Sequence, residues 1–381
     1  MGNDNFILTD EIISNARETM GKLVDNIISL KIEDIETYEF PQGQLFGLEI
    51  INDNALFYLF IRFSHDNKNF ICMNPNLFDR ECKNPPYFAR WSWYKYFNES
   101  FIATADPMVF RNDKMKGGMM IGVKNQWYAE TLSCIISKLA KNQNVIEDNI
   151  LFFGSSAGGF ISLCLATLIK NSKVLINNSQ FNLKNYNKYV MNMIFDAIAP
   201  TFEGLSNEEI MRKYGYRFNF TELIERENYA PYITYYVNVK SKSDKNQSIP
   251  FIQEYYDQKE FNGLNIIFYS EEKEKPHTPL PNDISIEFIR LFAKNNLYNL
   301  KPNIQNKLIN EEKYPKELEN KIKELENKIK ELENKIKELE NKIKKLKNQN
   351  RQIKNSNSWK ITKPLRYLSR QIQKIIKIIK K

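Results

Sequence analysis

The stretch "ILFFGSSAGGFISL", Ile150 to Leu163, sets two serines and three glycines between two apolar runs. It reads as the elbow of a serine nucleophile, a glycine-rich phosphate cradle, or a tight structural turn. Gly154-Ser155-Ser156-Ala157-Gly158 fits G-x-S-x-G, a motif that needs a strand before it and a helix after it. The sharp turn between them lifts the central serine hydroxyl clear of the sheet and tolerates only small neighbours. Gly154, Ala157, Gly158 and Gly159 meet that demand. The helix that follows points the positive end of its dipole at Ser156, and the Ala157 N–H can donate to an oxyanion. The phosphate readings fail on residue type. A P-loop requires Gly-Lys-Ser/Thr and no lysine lies in this turn, while the first glycine pair of G-x-G-x-x-G is missing. On the motif alone the structural turn stays open.

A serine nucleophile needs a base, and the chain holds two histidines, His65 and His277. His277, in "EEKEKPHTPLP", directly follows the last predicted strand. The acid is expected between serine and histidine, and "ITYYVNVKSKSDKN" supplies Asp244 after the preceding strand, with Asp196 and Glu271 as alternatives. Ser156, Asp244 and His277 thus follow the order serine, acid, histidine, each beside the C-terminal end of a strand. His65, in "FIRFSHDN", and its neighbour Ser64 are candidates for the second oxyanion N–H, because they follow an early central strand; a surface-loop histidine is the competing reading. Arg90 is placed to orient an anionic substrate group or to pair with a carboxylate. Trp91, Trp93, Trp127 and Tyr128 can stack on sugar rings or serve as packing, and Asp106 ends a strand on the same side.

The elements that must position these groups are legible as periodicities. Helical spacing runs from Asp10 to Leu30, with Thr9 as N-cap, and again from Gln126 to Lys141, Phe160 to Ile169, Asn207 to Tyr214, Phe220 to Glu227 and over "ISIEFIRLFAKN". Strands are predicted at "LFGLEII", "ALFYLFIRFS", "SFIATA", Ile150 to Phe153, "KVLINNS", "ITYYVNVKS" and "LNIIFYS". Alternating strands and helices predict an α/β fold, a mainly parallel sheet with helices on both faces. The expected layout is a lead-in over 1–40, the catalytic body over 41–300, a linker over 301–315, a heptad segment over 316–354 and a basic tail over 355–381.

Net charge is +9, concentrated after Lys342, so it describes the tail and not a basic cleft; no nucleic-acid partner is expected. Four cysteines without metal spacing read as buried thiols of a reducing cytoplasm, and no metal or cofactor is expected. The first twenty residues lack the pattern of a secretory signal, and no apolar run reaches the length of a spanning helix. After Pro315, "KELENKI" repeats in tandem with Ile at heptad position a and Leu at d. Lys328 at g faces Glu333 at e of a partner, which predicts a parallel two-stranded coiled coil and hence a homodimer. "SNSWKITKPLRYLSRQIQKIIKIIKK" then carries apolar positions Leu365, Leu368, Ile372, Ile375, Ile376 and Ile379 against a basic side. Such a helix suits either peripheral contact with an anionic membrane, at the inner face of the cytoplasmic membrane, or packing on its dimer partner.

With these residues in hand, the chain resembles α/β-hydrolase-like proteins of bacterial surface-polysaccharide loci. The resemblance is carried by "PPYFARWSW", "ATADPM", "GSSAGGF" and "HTPLP", spread over most of residues 45–300. A more distant likeness is to the accessory Sec protein that acetylates adhesin glycans. "SNSWKITKPLR" is similar to the tail of bacterial glycosyltransferases, although no strand-flanked D-x-D accompanies it. The resemblance implies an α/β-hydrolase fold, the Ser156, Asp244, His277 roles and a glycan or glycan-precursor substrate near glycan-assembly enzymes. The glycines usual in the oxyanion loop are missing at Ser64-His65. The expected activity is serine acyl transfer, as esterase or O-acyltransferase. The alternatives are a non-catalytic scaffold of a glycan-assembly complex, a glycosyltransferase-associated capsule protein, and glycosyl transfer on the same fold.

Overall fold

The computed structural model describes residues 6–256, 263–270, 277–294, 315–362, 364–369 and 372. The chain divides into two units, Met1–Asn299 and Leu300–Lys381.

In the first unit the apolar runs pair into one sheet. Its strands are β1 (Ile27–Leu30), β2 (Leu45–Asn52), β3 (Ala55–Arg62), β4 (Phe70–Met73), β5 (Ser100–Thr104), β6 (Ile150–Ser155), β7 (Lys173–Asn177), β8 (Tyr232–Asn238) and β9 (Leu264–Tyr269). Their order is β1-β2-β3-β5-β4-β6-β7-β8-β9. Only β3 runs antiparallel to its neighbours; every other pairing is parallel. The central strand β6 is buried along its whole length, as expected of a parallel strand covered on both faces.

Its side chains alternate between two cores. Ile150 and Phe152 face one with α2 (Tyr128–Asn142), α3 (Ala157–Leu168), α4 (Lys188–Ile198), α6 (Phe220–Glu227) and α7 (Lys242–Tyr256). Leu151 and Phe153 face the other with α1 (Asp10–Gly21) and α8 (Asn282–Lys294). The remaining helix, α5 (Asn207–Lys213), opens on a capping box between Ser206 and Glu209. Helix α3 is apolar all round and buried on every side, which lets it lie directly on the sheet behind its own turn. The fold is the expected α/β arrangement, with α2 and α3 alternating with parallel strands.

The differences from the sequence reading have local causes. Thr9 does cap α1, its side chain accepting from the Ile12 N–H, but the helix stops at Gly21 instead of Leu30. Ile27–Leu30 instead forms β1, because β-branched residues there find a parallel partner in β2. Strand β4 and helices α4 and α7 were not anticipated. β4 has only four residues, and α7 carries Pro250 in its interior and a polar start that disfavours a helix locally. Cys72 and Cys164 are buried, and burial pushes both thiols well above their ordinary pKa; Cys82 and Cys134 are exposed, against expectation.

In the second unit, α9 (Pro315–Asn355) is a single helix of 41 residues. Its described seam positions Leu332, Ile336, Leu339, Ile343 and Leu346 are each between 51% and 59% exposed. A short helix, Asn357–Ile361, follows. Arg370 and the apolar and basic tail positions from 373 onward lie outside the described residues. Among the described residues no helix is long and apolar enough to cross a membrane.

One buried charge ties α1 to the sheet. Glu49 on β2 is fully buried and accepts from Arg17 (2.8 and 2.6 Å), from Ser29 (2.9 Å) and from the Tyr58 hydroxyl. Burial raises its pKa, but hydrogen bonds from Arg17, Tyr58 and Ser29 outweigh this and hold the carboxyl below its ordinary value. With the folded value lowered, this stabilisation is complete above about pH 4.3 and is lost as pH falls through the folded pKa. Glu49→Ala should therefore destabilise the fold by about 2 kcal/mol near neutrality, by leaving the buried Tyr58 hydroxyl without its acceptor, with a smaller difference from wild type in acid. Urea unfolding at pH 7 and about pH 3 checks both statements; equal midpoints for variant and wild type at pH 7 would remove the network from the account.

Candidate active site

Strand β6 ends in Gly154-Ser155 and α3 begins at Ala157, so the chain reverses at one residue, Ser156. Ser156 adopts φ 53° and ψ −121°, a strained conformation for a residue with a side chain. Its backbone is held on all sides: its N–H donates to the Asn177 carbonyl (3.2 Å), and its carbonyl accepts from Gly159, Phe160 and Gln180. The glycines are needed for contact. A Cβ on Gly154 would lie 2.1 Å from the Gly158 carbonyl oxygen, and one on Gly158 would lie 2.7 Å from that of Asn74.

This turn presents the Ser156 hydroxyl to His277, whose Nε2 is 2.9 Å from Oγ. On the other side of the ring, Nδ1 bonds Asp244 Oδ1. With Nδ1 protonated, the imidazole donates to the carboxylate and accepts from the serine. Asp244 is buried in the first turn of α7, its N–H donating to Ser241 Oγ at 3.3 Å, and its Oδ2 has no hydrogen-bond partner among the described residues. Asp196 is exposed on α4, and Glu271 lies outside the described residues. Of the two described candidates, Asp196 and Asp244, Asp244 is the one the fold brings to His277.

The histidine loop is fixed by two buried asparagines at the end of β7. Asn177 Oδ1 accepts the Leu280 N–H (2.7 Å), and Asn178 Nδ2 donates to the Thr278 carbonyl (3.0 Å). The Tyr269 hydroxyl joins both, accepting from Asn177 (3.2 Å) and donating to Asn178 (3.1 Å). Neither asparagine was singled out from the sequence; the only trace is the polar pair "NN" ending an apolar strand. Tyr186, after the short turn Leu183–Asn185, was also missed. Burial raises its phenol pKa, and its hydrogen-bonding interaction with Ser156 works against that rise.

The oxyanion assignment needs correction at Ser64 and His65. Strand β3 runs antiparallel to β5, so its C-terminal end meets the start of β5: Arg62 pairs with Phe101, and the Ser64 N–H donates to Ser100 Oγ (2.9 Å). That is the opposite edge of the sheet from Ser156. The strand that reaches the elbow is β4, parallel to β6, with Met73 opposite Phe153 and the Asn74 N–H on the Phe153 carbonyl (2.9 Å). Asn74 is anchored through Ser162 (2.9 Å) and Thr104 (2.8 Å). The loop after β4 therefore stands where Ser64 and His65 were expected. Ala157 is buried at the start of α3, where a helix has no intrahelical acceptor for its N–H.

The remaining candidates separate. Arg90 reaches the elbow, its Nη2 donating to Ser155 Oγ at 2.8 Å. Trp91 packs edge-on against Phe60. Trp127 is buried at the start of α2 against Tyr216 and Arg226, a packing position. Asp106 is buried and accepts the Met108 (3.1 Å) and Gly118 (2.7 Å) N–H groups, so it organises its own loop. Among the described residues no cluster of three or more His, Cys, Asp or Glu could hold a metal ion.

No protein-family model matches the sequence, and no curated protein does. Solved structures do match in shape. The capsule O-acetyltransferase of Neisseria meningitidis serogroup A, in complex with caged gadolinium, superposes with a TM-score of 0.50 at 15% identity, over 69% of this chain and 99% of that one. The fold is α/β-hydrolase-like. An S-formylglutathione hydrolase from Agrobacterium tumefaciens matches at TM-score 0.46 and 10% identity, over 67% of this chain and 97% of that one. A glycosylation-associated protein complex from Streptococcus agalactiae matches at 0.43 and 14%, over 65% and 45%.

Because the Gly154 contact is with backbone, it has no flexible side chain to move aside. Gly154→Ala should destabilise the protein by about 3 kcal/mol and displace Ser156. Urea unfolding measures the first effect; an unchanged midpoint would show that the turn has slack.

Proposed function

We propose that the chain is a serine acyl-transfer enzyme, an esterase or O-acyltransferase, acting on a bacterial surface polysaccharide or its precursor. The observation that carries this reading is the hydrogen-bonded series Ser156, His277, Asp244, with Ser156 on a strand-to-helix turn. In the proposed reaction Ser156 Oγ attacks the ester carbonyl carbon as its proton moves to His277 Nε2. Asp244 holds the ring in the required tautomer and stabilises the imidazolium. The oxyanion receives the Ala157 N–H and backbone N–H from the loop after β4. As the C–O bond breaks, the imidazolium returns its proton to the leaving oxygen. The acyl-serine then passes to water or to a sugar hydroxyl, which His277 deprotonates in turn.

The glycan context rests on the motif resemblance, and a capsule O-acetyltransferase shares the fold. The exposed Ile and Leu seam of α9 supports homodimerisation through a parallel coiled coil, since an isolated helix leaves it in water. The basic tail would then carry paired charges toward an anionic membrane and the glycan-assembly enzymes working there.

A fluorophosphonate probe should label the wild-type chain and not Ser156→Ala. Ester turnover should fall by at least about 10⁴-fold in Ser156→Ala and His277→Ala, and by about 10³–10⁴-fold in Asp244→Asn. A folded wild type that neither labels nor turns over esters would favour the scaffold. Sedimentation of the double variant Ile336→Lys, Leu339→Lys should give a monomer where the wild type is dimeric; a monomeric wild type would remove the coiled coil from the proposal.

A further inference from the structure

Arg90, which is half-buried, differs from half-buried Arg62 and buried Arg217 in what it lacks. Arg217 donates to the Ile121, Val123 and Lys124 carbonyls, and Arg62 to those of Phe97 and Glu99. Among the described residues the Arg90 guanidinium has no carboxylate partner, and its one hydrogen bond goes to Ser155 Oγ. It lies between the rings of Trp93 (5.2 Å) and Phe153 (5.3 Å), and burial lowers its pKa to about 10. Its backbone is also left-handed, at φ 57°. A guanidinium offers five N–H donors, so most of this one's capacity is unused in a position the fold works to maintain.

The same residue lines a cavity of about 350 Å³ between the end of α1 and the loop before Trp91. Lys22 and Lys83 line it too, with Tyr87 and Trp91 as its aromatic walls and no carboxylate among the described lining residues. Glu18 pairs with Lys22 (2.9 Å), and the Lys83 ammonium stands over the Tyr87 ring (4.5 Å). With Lys22 already paired, Arg90 and Lys83 are the cations left for a ligand; with two aromatic faces and this volume they suit an anionic sugar, Arg90 linking its charge to the residue before Ser156.

We propose that this cavity is the subsite for an acidic sugar unit of the substrate, bearing a carboxylate or a phosphate ester, with Arg90 as the specificity-determining residue. The assignment deepens the acyl-transfer reading and rests on it for the word substrate; binding itself does not require Ser156 to react. Titration calorimetry on the full chain with glucuronate, glucose 1-phosphate and glucose tests it. One of the two anions should bind, identifying the group, while glucose should not. Arg90→Gln should weaken that anion by roughly tenfold or more, Arg90→Lys by less, and Lys83→Gln by a few fold. If Arg90→Gln does not fold by circular dichroism, Lys83→Gln decides the matter. Failure of both anions to bind, or affinities unchanged in the folded variants, overturns the subsite. Loss of fluorophosphonate labelling would instead count against the acyl-transfer reading, so the two failures are distinguishable.

Discussion

A main chain can reverse from strand to helix at one residue only if the atoms on both sides of the turn come almost into contact. At Ser156 they do: Gly154 lies against the Gly158 backbone, Gly158 against Asn74, and Gly159 against Ser179. The left-handed φ of Ser156 is the consequence, and its hydrogen bond to the Asn177 carbonyl and those it accepts from Gly159, Phe160 and Gln180 hold it there. Other elements of the first unit are arranged around this compression. α3 can lie on the sheet because its first residues are small, and β4 can approach because Gly158 has no side chain.

Parallel pairing supplies the next level of order. β4, β6, β7, β8 and β9 all run the same way, so their C-terminal ends gather at one edge. The β4 loop, the Ser156 turn, the Asn177-Asn178 pair, the start of α7 and the His277 loop all occupy that edge. Asn177 and Asn178 convert proximity into register by fixing the backbone of residues 278 and 280. A histidine on a surface loop would otherwise sample many positions, and a hydrogen bond to Ser156 would form only part of the time.

Some of this was visible in residue order and some was not. The elbow could be read because its steric requirement is local: five consecutive residues must be small or polar in a set pattern. His277 could be read because only two histidines exist and one follows a strand. The oxyanion loop was misread because strand direction is not a local property. "ALFYLFIRF" looks the same in a parallel or an antiparallel strand, and β3 turned out to point its end away from the site. β4, the strand that does reach it, has four residues and too little periodicity to register. Trp127 and Asp106 show a related limit: residue type leaves substrate contact and packing both open, and the fold reveals a core tryptophan and a loop-capping carboxylate.

By itself, then, the sequence determined an α/β sheet, a sharp serine turn, the serine, acid, histidine order and a separate heptad helix, since each follows from local patterns and their order along the chain. Tertiary structure alone decided which acid meets His277, which loop faces the elbow, and that Arg90 remains without a carboxylate among the described residues. Those are distances between residues far apart in the chain, set by strand order and direction. No local pattern encodes them, because they come into being only when the sheet closes.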